Sequence, residues 1–510
     1  MARCRVHFSP ILVLTDDLAP YRVGPGERAT ATRRFAEEIM TRKQHDSQHV
    51  IGQSTSATRR RFLASSVQAA LAAPMTLGVA SEAARASARP IAGVRFELPR
   101  LRVPASFIID DSTCLVNMGH YCMPQFAAAW PKRSIYNKPW KTWPREIPDS
   151  FVRTFGEWCA DHGVKGKYSI VPYPACVGWL DRLLPGWSRR ELLESLKLVR
   201  ERMVPDWDIH PEMITHTRVI ELKTGRPLEE IHAGTMENSY PQEHKSVDEL
   251  AAYLAYALRI LKNCDLPCEG ITTPGGFGNR VKKELSQAVG EAVRDVYGSE
   301  LPHYFKYVAG PKESTVPRIE NFGSGGDVSR TTVNVWAGTG DWFGGWDGDR
   351  EPEPDRYCNR EATAGRMVEL IEKREPAVML CHWPGLYSHG TLKGFRAFQQ
   401  VIRSLEGRFA DDLLWMKVSE IGRYYAARSL TEMVLEDRSV RLDAPFGTPN
   451  CTLTIETASP EAPVVRHGDQ KTPLRKVNRK IDLAEGTYLV GEGQCTVCFE
   501  LRKGTTTVSL

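Results

Sequence analysis

From about residue 100 to residue 427, short apolar runs alternate with amphipathic segments, a pattern that predicts strands followed by helices in a parallel sheet or barrel. The candidate strands are Ser106 to Asp110, Lys167 to Val171, Ile209 to Thr215, Gly270 to Thr273, Tyr304 to Val308, Thr331 to Trp336, Ala377 to Cys381 and Leu413 to Met416. The intervening helices have readable ends. Ser188 with Glu191 and Ser246 with Glu249 are capping boxes, and Gly163 stands just past a helix that begins near Ser150. Seven or eight such units place the chain in the α/β class, as an irregular (β/α)7-8 barrel that closes on itself. After Tyr425 the spacing changes to period two, in 440–443, 451–457, 487–490 and 496–501, with turn residues between. The expectation is a barrel over residues 89–427 and a small all-β module over residues 428–510.

Ahead of the barrel, Thr58-Arg59-Arg60-Arg61-Phe62-Leu63 precedes an Ala-rich, mildly apolar stretch from Ala64 to Ala80, and Ala86-Ser87-Ala88 offers a small-residue cleavage site. This order resembles a twin-arginine export signal, so residues 1–88 read as a leader. The expected partner is the twin-arginine export machinery, and the expected location is periplasmic or extracellular. Ser65, Ser66, Gln68 and Pro74 make the stretch a poor membrane span, and no other segment is apolar enough, so no integral membrane association is expected. The leader is long for its kind and Met40 would leave a more usual one, so residues 1–39 read as an over-extended start.

Composition changes this picture little: 42% apolar and 25% charged residues are globular values. Charge changes it more. Of 67 Lys+Arg and 62 Asp+Glu, residues 1–88 hold 12 and 7, which leaves 55 of each, so the net charge of +5 belongs to the leader. A neutral remainder without basic runs excludes nucleic acid as the expected partner. The twelve cysteines form no paired CxxC modules, and Cys495 and Cys498 fall on opposite faces of an alternating strand, which excludes a zinc ribbon.

Candidate chemistry gathers at strand ends, where alternating βα architectures keep their active sites. Asp110 and Asp111 close the first run, and two neighbouring carboxylates repel unless a cation or shared proton intervenes. His210, Glu212, Ile214 and His216 share one parity of the third expected strand, with His216 at its end. The run Val378 to His382 delivers another histidine to the same rim. Asp and His suit zinc or another divalent ion, and a histidine off the metal can protonate a leaving group. All twelve tryptophans lie between residues 130 and 415, several of them beside these motifs, and such faces stack on sugars.

With these residues in view, residues 106–425 resemble the polysaccharide deacetylase superfamily, also called the NodB-homology or carbohydrate esterase family four group. Its Asp-Asp opening is similar to Ile108-Ile109-Asp110-Asp111, and its Glu-containing strand leading to His-Thr is similar to Glu212-Met213-Ile214-Thr215-His216-Thr217. Its Pro-Gly turn resembles Thr273-Pro274-Gly275-Gly276, its Asp-Trp motif Asp341-Trp342, and its late Leu-x-His Leu380-Cys381-His382. The closing strand and helix resemble residues 414–425. The resemblance implies Asp110 as general base, His382 as general acid, Asp111 and His216 as metal ligands, and Pro274, Gly275, Asp341, Trp342 and Trp383 on the substrate side. Two positions depart from the family: Ile220 stands where a second histidine is usual, and Thr272 and Thr273 stand where an arginine orients the base. The replacement ligand is sought among His232, Glu237, His244 and His120.

The expected function is an exported, metal-dependent hydrolase that removes N-acetyl or O-acyl groups from a carbohydrate, with a divalent metal, zinc foremost, as cofactor. Two alternatives stand beside it. One is a catalytically silent carbohydrate-binding protein on a deacetylase scaffold; the other is a metal-free glycoside hydrolase using Glu212 and Asp110.

Overall fold

A computed structural model describes residues 93–457 and 461–510; the expected leader and its twin-arginine motif lie outside the described residues. A strand forms at each of the eight expected places, though the third stops four residues short of its expected end at Thr215: β1 (Val103–Asp110), β2 (Gly166–Ile170), β3 (Trp207–Pro211), β4 (Gly270–Thr272), β5 (His303–Val308), β6 (Thr331–Ala337), β7 (Ala377–His382) and β8 (Leu413–Trp415). Every residue of β1 is buried, as expected of a parallel strand covered on both faces. Both capping boxes are present, and Gly163 takes φ +62° beyond helix Asp149–Asp161, where the chain leaves the helix through the left-handed region.

The closed barrel expected from the sequence is corrected in its pairing. Strands β7-β1-β2-β3 form one parallel arc and β4-β5-β6 another, with Arg318–Asn321 added antiparallel to β6. One seam between the arcs is a lone bridge, Glu212 to Thr272, and the other is a Gly338 N–H to Val378 C=O bond of 2.8 Å. The eight strands therefore lie in two parallel sheets that meet at two loose seams, and no closed barrel forms among the described residues. Strand β8 pairs with Val103–Ala105 at the start of β1; because Ala105 already pairs with Ala377 of β7, β8 takes the opposite flank, below β2.

Branched apolar side chains normally fill such an interior. Here Asp110, Lys167, Ser169, His210 and His303 are buried and linked by hydrogen bonds into polar groups within it.

After helix Val418–Leu430 the chain builds two five-stranded sheets. Val94–Phe96, from the other end of the described chain, pairs antiparallel with Leu453–Ile455 and completes one of them. Its Phe96 ring meets Tyr424 edge-on at 5.7 Å, and the Tyr424 hydroxyl donates to the Glu97 carbonyl at 2.9 Å, which ties this module to the barrel's last helix. Cys495 and Cys498 do face opposite sides, each in a different apolar cluster. Among the described residues no helix is long and apolar enough to cross a membrane.

Candidate functional site

The rim chemistry begins where β1 ends. Asp110 keeps the inward parity of the strand and stands in register with His382 of β7. Asp111 would face the opposite side if the strand continued, but it adopts φ +59°, a left-handed conformation that aspartate tolerates better than most residues. The turn brings its carboxylate to His216: Asp111 Oδ1 lies 2.8 Å from His216 Nε2. Its own N–H donates to Glu212 Oε2 at 2.7 Å, and Glu212 Oε1 lies 3.5 Å from His216 Nε2.

The second motif reaches the rim differently from its sequence parity. Strand β3 stops at Pro211, and the chain turns through left-handed residues at Met213 (φ +52°) and His216 (φ +62°). Strand alternation thus accounts for Glu212 but not for His216. What holds the loop is Glu237, which accepts N–H bonds from Ile214, Thr215 and His216 at 3.2, 3.0 and 2.6 Å and a Tyr253 hydroxyl bond at 2.6 Å. Burial pushes the Glu237 carboxyl up to about 7, against these donors.

Asp111, Glu212 and His216 are all buried, and their ligand atoms lie within 4.8 Å of one another. Donors about 2.1 Å from a tetrahedral ion sit about 3.4 Å apart, a spacing close to the 2.8 and 3.5 Å seen here. Asp111 Oδ1 has no partner of good hydrogen-bond geometry although His216 Nε2 lies 2.8 Å away; burial lowers the His216 pKa, but the Asp111 charge and bond outweigh it and raise it. An orphaned buried oxygen beside an imidazole nitrogen and a second carboxylate is a donor set that fits a divalent cation, with coordination positions left over.

The third member is Glu212, which corrects the search for a replacement ligand. His232 caps Gly234 N–H and is exposed beside Glu230; His244 is exposed beside Glu284. His120 bonds the Trp143 carbonyl at 3.0 Å, and Glu237 is committed to the loop backbone. Ile220 is buried in the core.

On the other side of Asp110, His382 Nδ1 meets Asp341 Oδ2 at 2.7 Å. The same oxygen accepts the His382 N–H at 3.2 Å, while Asp341 Oδ1 accepts the Phe343 N–H at 2.9 Å. Asp341, expected on the substrate side, has both carboxylate oxygens engaged by His382 and the Phe343 N–H. Burial lowers the His382 pKa, but the Asp341 bond and the carboxylates of Asp111, Asp341 and Asp110 outweigh it and raise it to about 9. Asp110 itself is pushed up by burial and by Glu212, against the pull of Lys167 and His382.

Two further sequence assignments change. Trp383 is fully buried among Phe151, Phe155 and Tyr168, so it belongs to the core and offers no face to a ligand. Trp342 is half-buried between the Tyr357 ring and the Arg356 guanidinium. The Pro274-Gly275 turn packs beside Asn238, with Gly275 at φ +43°. Aromatic side chains do wall the metal-competent group: Phe126 lies 6.2 Å from the His216 ring and contacts Trp130, Tyr136 and Trp346, of which both tryptophans are partly exposed. Cys122 also lies beside His216, and burial pushes its thiol up to about 11, so it stays neutral.

A second acid–histidine group is made by Asp208 and His210 of β3 and His303 at the start of β5. His210 and His303 share a 2.8 Å Nε2 to Nε2 bond, His210 Nδ1 meets Thr272 at 3.2 Å, and Asp208 accepts the Ser419 N–H and hydroxyl at 2.6 and 2.7 Å. Gly270 makes the pair possible, because a Cβ there would stand 2.5 Å from His210 Nε2 and 2.7 Å from His303 Nε2.

No protein-family model matches the chain, and no curated protein matches it. Among solved structures it is similar to a mutant of a CE4 family pseudoenzyme with restored enzymatic activity, at 13% identity and TM-score 0.28 over 63% of this chain and 67% of that one. It is also similar to 4-alpha-glucanotransferase from Thermococcus litoralis, at 12% identity and TM-score 0.32 over 63% and 40%. A third similarity is to Thermotoga maritima alpha-fucosidase, at 12% identity and TM-score 0.27 over 81% and 97%. Likenesses of this size leave the chemistry to the site's own geometry.

Proposed function

We propose that this chain is a metal-dependent hydrolase that removes N-acetyl or O-acyl groups from a carbohydrate. The observation that carries this reading is the meeting, around Asp110, of a metal-competent Asp111-Glu212-His216 group with an oriented Asp341-His382 pair. A divalent cation, zinc foremost, held by the first group would supply Lewis acidity toward water and an acyl oxygen. Asp110, kept in an ion pair by Lys167, accepts the proton of the attacking water. His382, cationic at neutral pH, donates its proton to the departing amine or alcohol, and Asp341 keeps the ring aimed and its charge balanced. The half-exposed Trp130 and Trp346, which pack on Phe126 next to His216, support a sugar as the body of the substrate.

The metal-free glycosidase alternative is disfavoured because Glu212, the second acid it needs, is 2% exposed and committed to the Asp111 N–H. Export by the twin-arginine route is part of the proposal and rests on the Arg59-Arg60-Arg61-Phe62-Leu63 motif; cargo of that route folds first, in keeping with eleven free thiols among the described residues.

The test is elemental analysis of the purified protein and of His216→Ala. One divalent ion per chain, lost in the variant, is the expected result, followed by acetate release from acetylated oligosaccharides. Absence of metal from both, even after incubation with zinc, would overturn the metal-dependent reading and leave the two metal-free alternatives, the binding protein first.

A further inference from the structure

Lys167 is fully buried on the inward face of β2. In register it sits opposite Ile108, two residues below Asp110, a distance of about 7 Å along the strand that a lysine stem can span. Its ammonium makes an ion pair with Asp110, the one carboxylate within ion-pair distance of it among the described residues. It also donates to the Ser169 hydroxyl at 2.7 Å and to the Ile109 carbonyl at 3.2 Å. Three donors meet three acceptors, so the cation is saturated and fixed, and a buried ammonium that lost its only carboxylate would be strongly destabilised.

Asp110 is the third carboxylate of this rim: it follows Ile109 directly before Asp111 and feels the Glu212 charge, but it lies outside the group of ligand atoms, within 4.8 Å of one another, that Asp111, Glu212 and His216 form. A divalent ion there would draw in all three carboxylates, since an unpaired buried carboxylate gains by coordinating. We propose that Lys167 decides which of the two adjacent acids is free to bind metal: by clamping Asp110 it keeps that carboxylate out of the coordination sphere and available to water, and it leaves the ion to Asp111, Glu212 and His216. Lys167, from the neighbouring strand, supplies the positive charge that meets Asp110. Lys167 is thus a positioning residue acting through Asp110. The inference rests on the metal-dependent reading proposed above.

The test is zinc affinity, measured by calorimetric titration of the metal-free full chain, with folding checked by circular dichroism. Lys167→Met should bind zinc at least tenfold more tightly than wild type, because the released Asp110 becomes an added ligand. The gain should vanish in Lys167→Met/Asp110→Asn, and Lys167→Arg should match wild type. Cobalt substituted for zinc should show a changed visible spectrum in Lys167→Met alone. Unchanged or weaker zinc binding by folded Lys167→Met overturns the inference while leaving the metal site standing. If Lys167→Met does not fold, Asp110→Asn decides: zinc affinity within twofold of wild type supports the clamp, and a tenfold loss overturns it by showing that Asp110 coordinates. Failure of the metal reading looks different: wild type itself takes up no zinc. In that case zinc binding gained by Lys167→Met still supports the clamp, and none in either overturns both.

Discussion

Asp110 and Asp111 are adjacent in sequence yet meet different partners, and the difference comes from one backbone angle and one lysine. The left-handed turn at Asp111 sends its carboxylate to His216, while Lys167 holds Asp110. Asp110→Asn should therefore keep the metal and lose about 10²-fold or more in turnover, the scale of a general base. Asp111→Ala and Glu212→Ala should lose the metal; elemental analysis of the three variants side by side separates the roles, and equal metal loss in all would refute them. His382 gives a pH signature. Its acid form is raised to about 9, so activity should be present below that value and fall as pH rises through it. Asp341→Asn removes the hydrogen bond that most favours the charged ring, and the alkaline limb of kcat/KM should move toward neutral pH. Sequence singled out Asp110, Asp111, His216 and His382 by their places at strand ends. It passed over Glu212 as a ligand because its reach toward Asp111 depends on two turns that no spacing announces.

At the level of strands and loops, positions are fixed by contacts made under the surface. The Ile214–His216 loop hangs on Glu237, and the β3–β5 contact hangs on the His210–His303 bond over Gly270. Gly270→Ala would force a methyl group against both imidazoles and the His303 backbone, and should cost roughly 1–3 kcal/mol, read as a lowered midpoint in urea. The same pair makes the fold acid-sensitive. Burial lowers His303 to about 4 and holds His210 well below its ordinary value, whereas the unfolded chain titrates near 6.5. Between these values the unfolded state binds more protons, so stability is complete above about pH 6.5 and falls as pH drops toward 4. For His303 alone the loss is about 3 kcal/mol. Urea unfolding at pH 7 and pH 4.5 should show this fall in wild type and a smaller one in His303→Gln. Capping boxes at Ser188 and Ser246 were legible because a cap is a local pattern; the loop pinned by Glu237 was not, because its donors and acceptor lie more than twenty residues apart.

Over the whole molecule, barrel and terminal module share an element. Val94–Phe96 joins a sheet of the module, and Phe96 and Glu97 meet Tyr424 on the barrel's last helix. Phe96→Ala should cost about 3 kcal/mol by loss of buried aromatic surface. Because the tie runs through both parts, thermal unfolding should remain a single transition that shifts downward, and two separated transitions in wild type would count against the coupling. The eight barrel strands, the two capping boxes, the change to period two after Tyr425 and the opposed faces of Cys495 and Cys498 follow from the sequence by itself, since side-chain periodicity is set by backbone geometry within a few residues. Only the tertiary structure decided the two loose seams, the entry of Val94–Phe96 into the last sheet, the joining of Glu212 to Asp111, and the clamp of Lys167 on Asp110. Each of these brings together residues tens to hundreds of positions apart, and their meeting depends on how the strands close and where a non-glycine residue turns left-handed, neither of which local periodicity encodes.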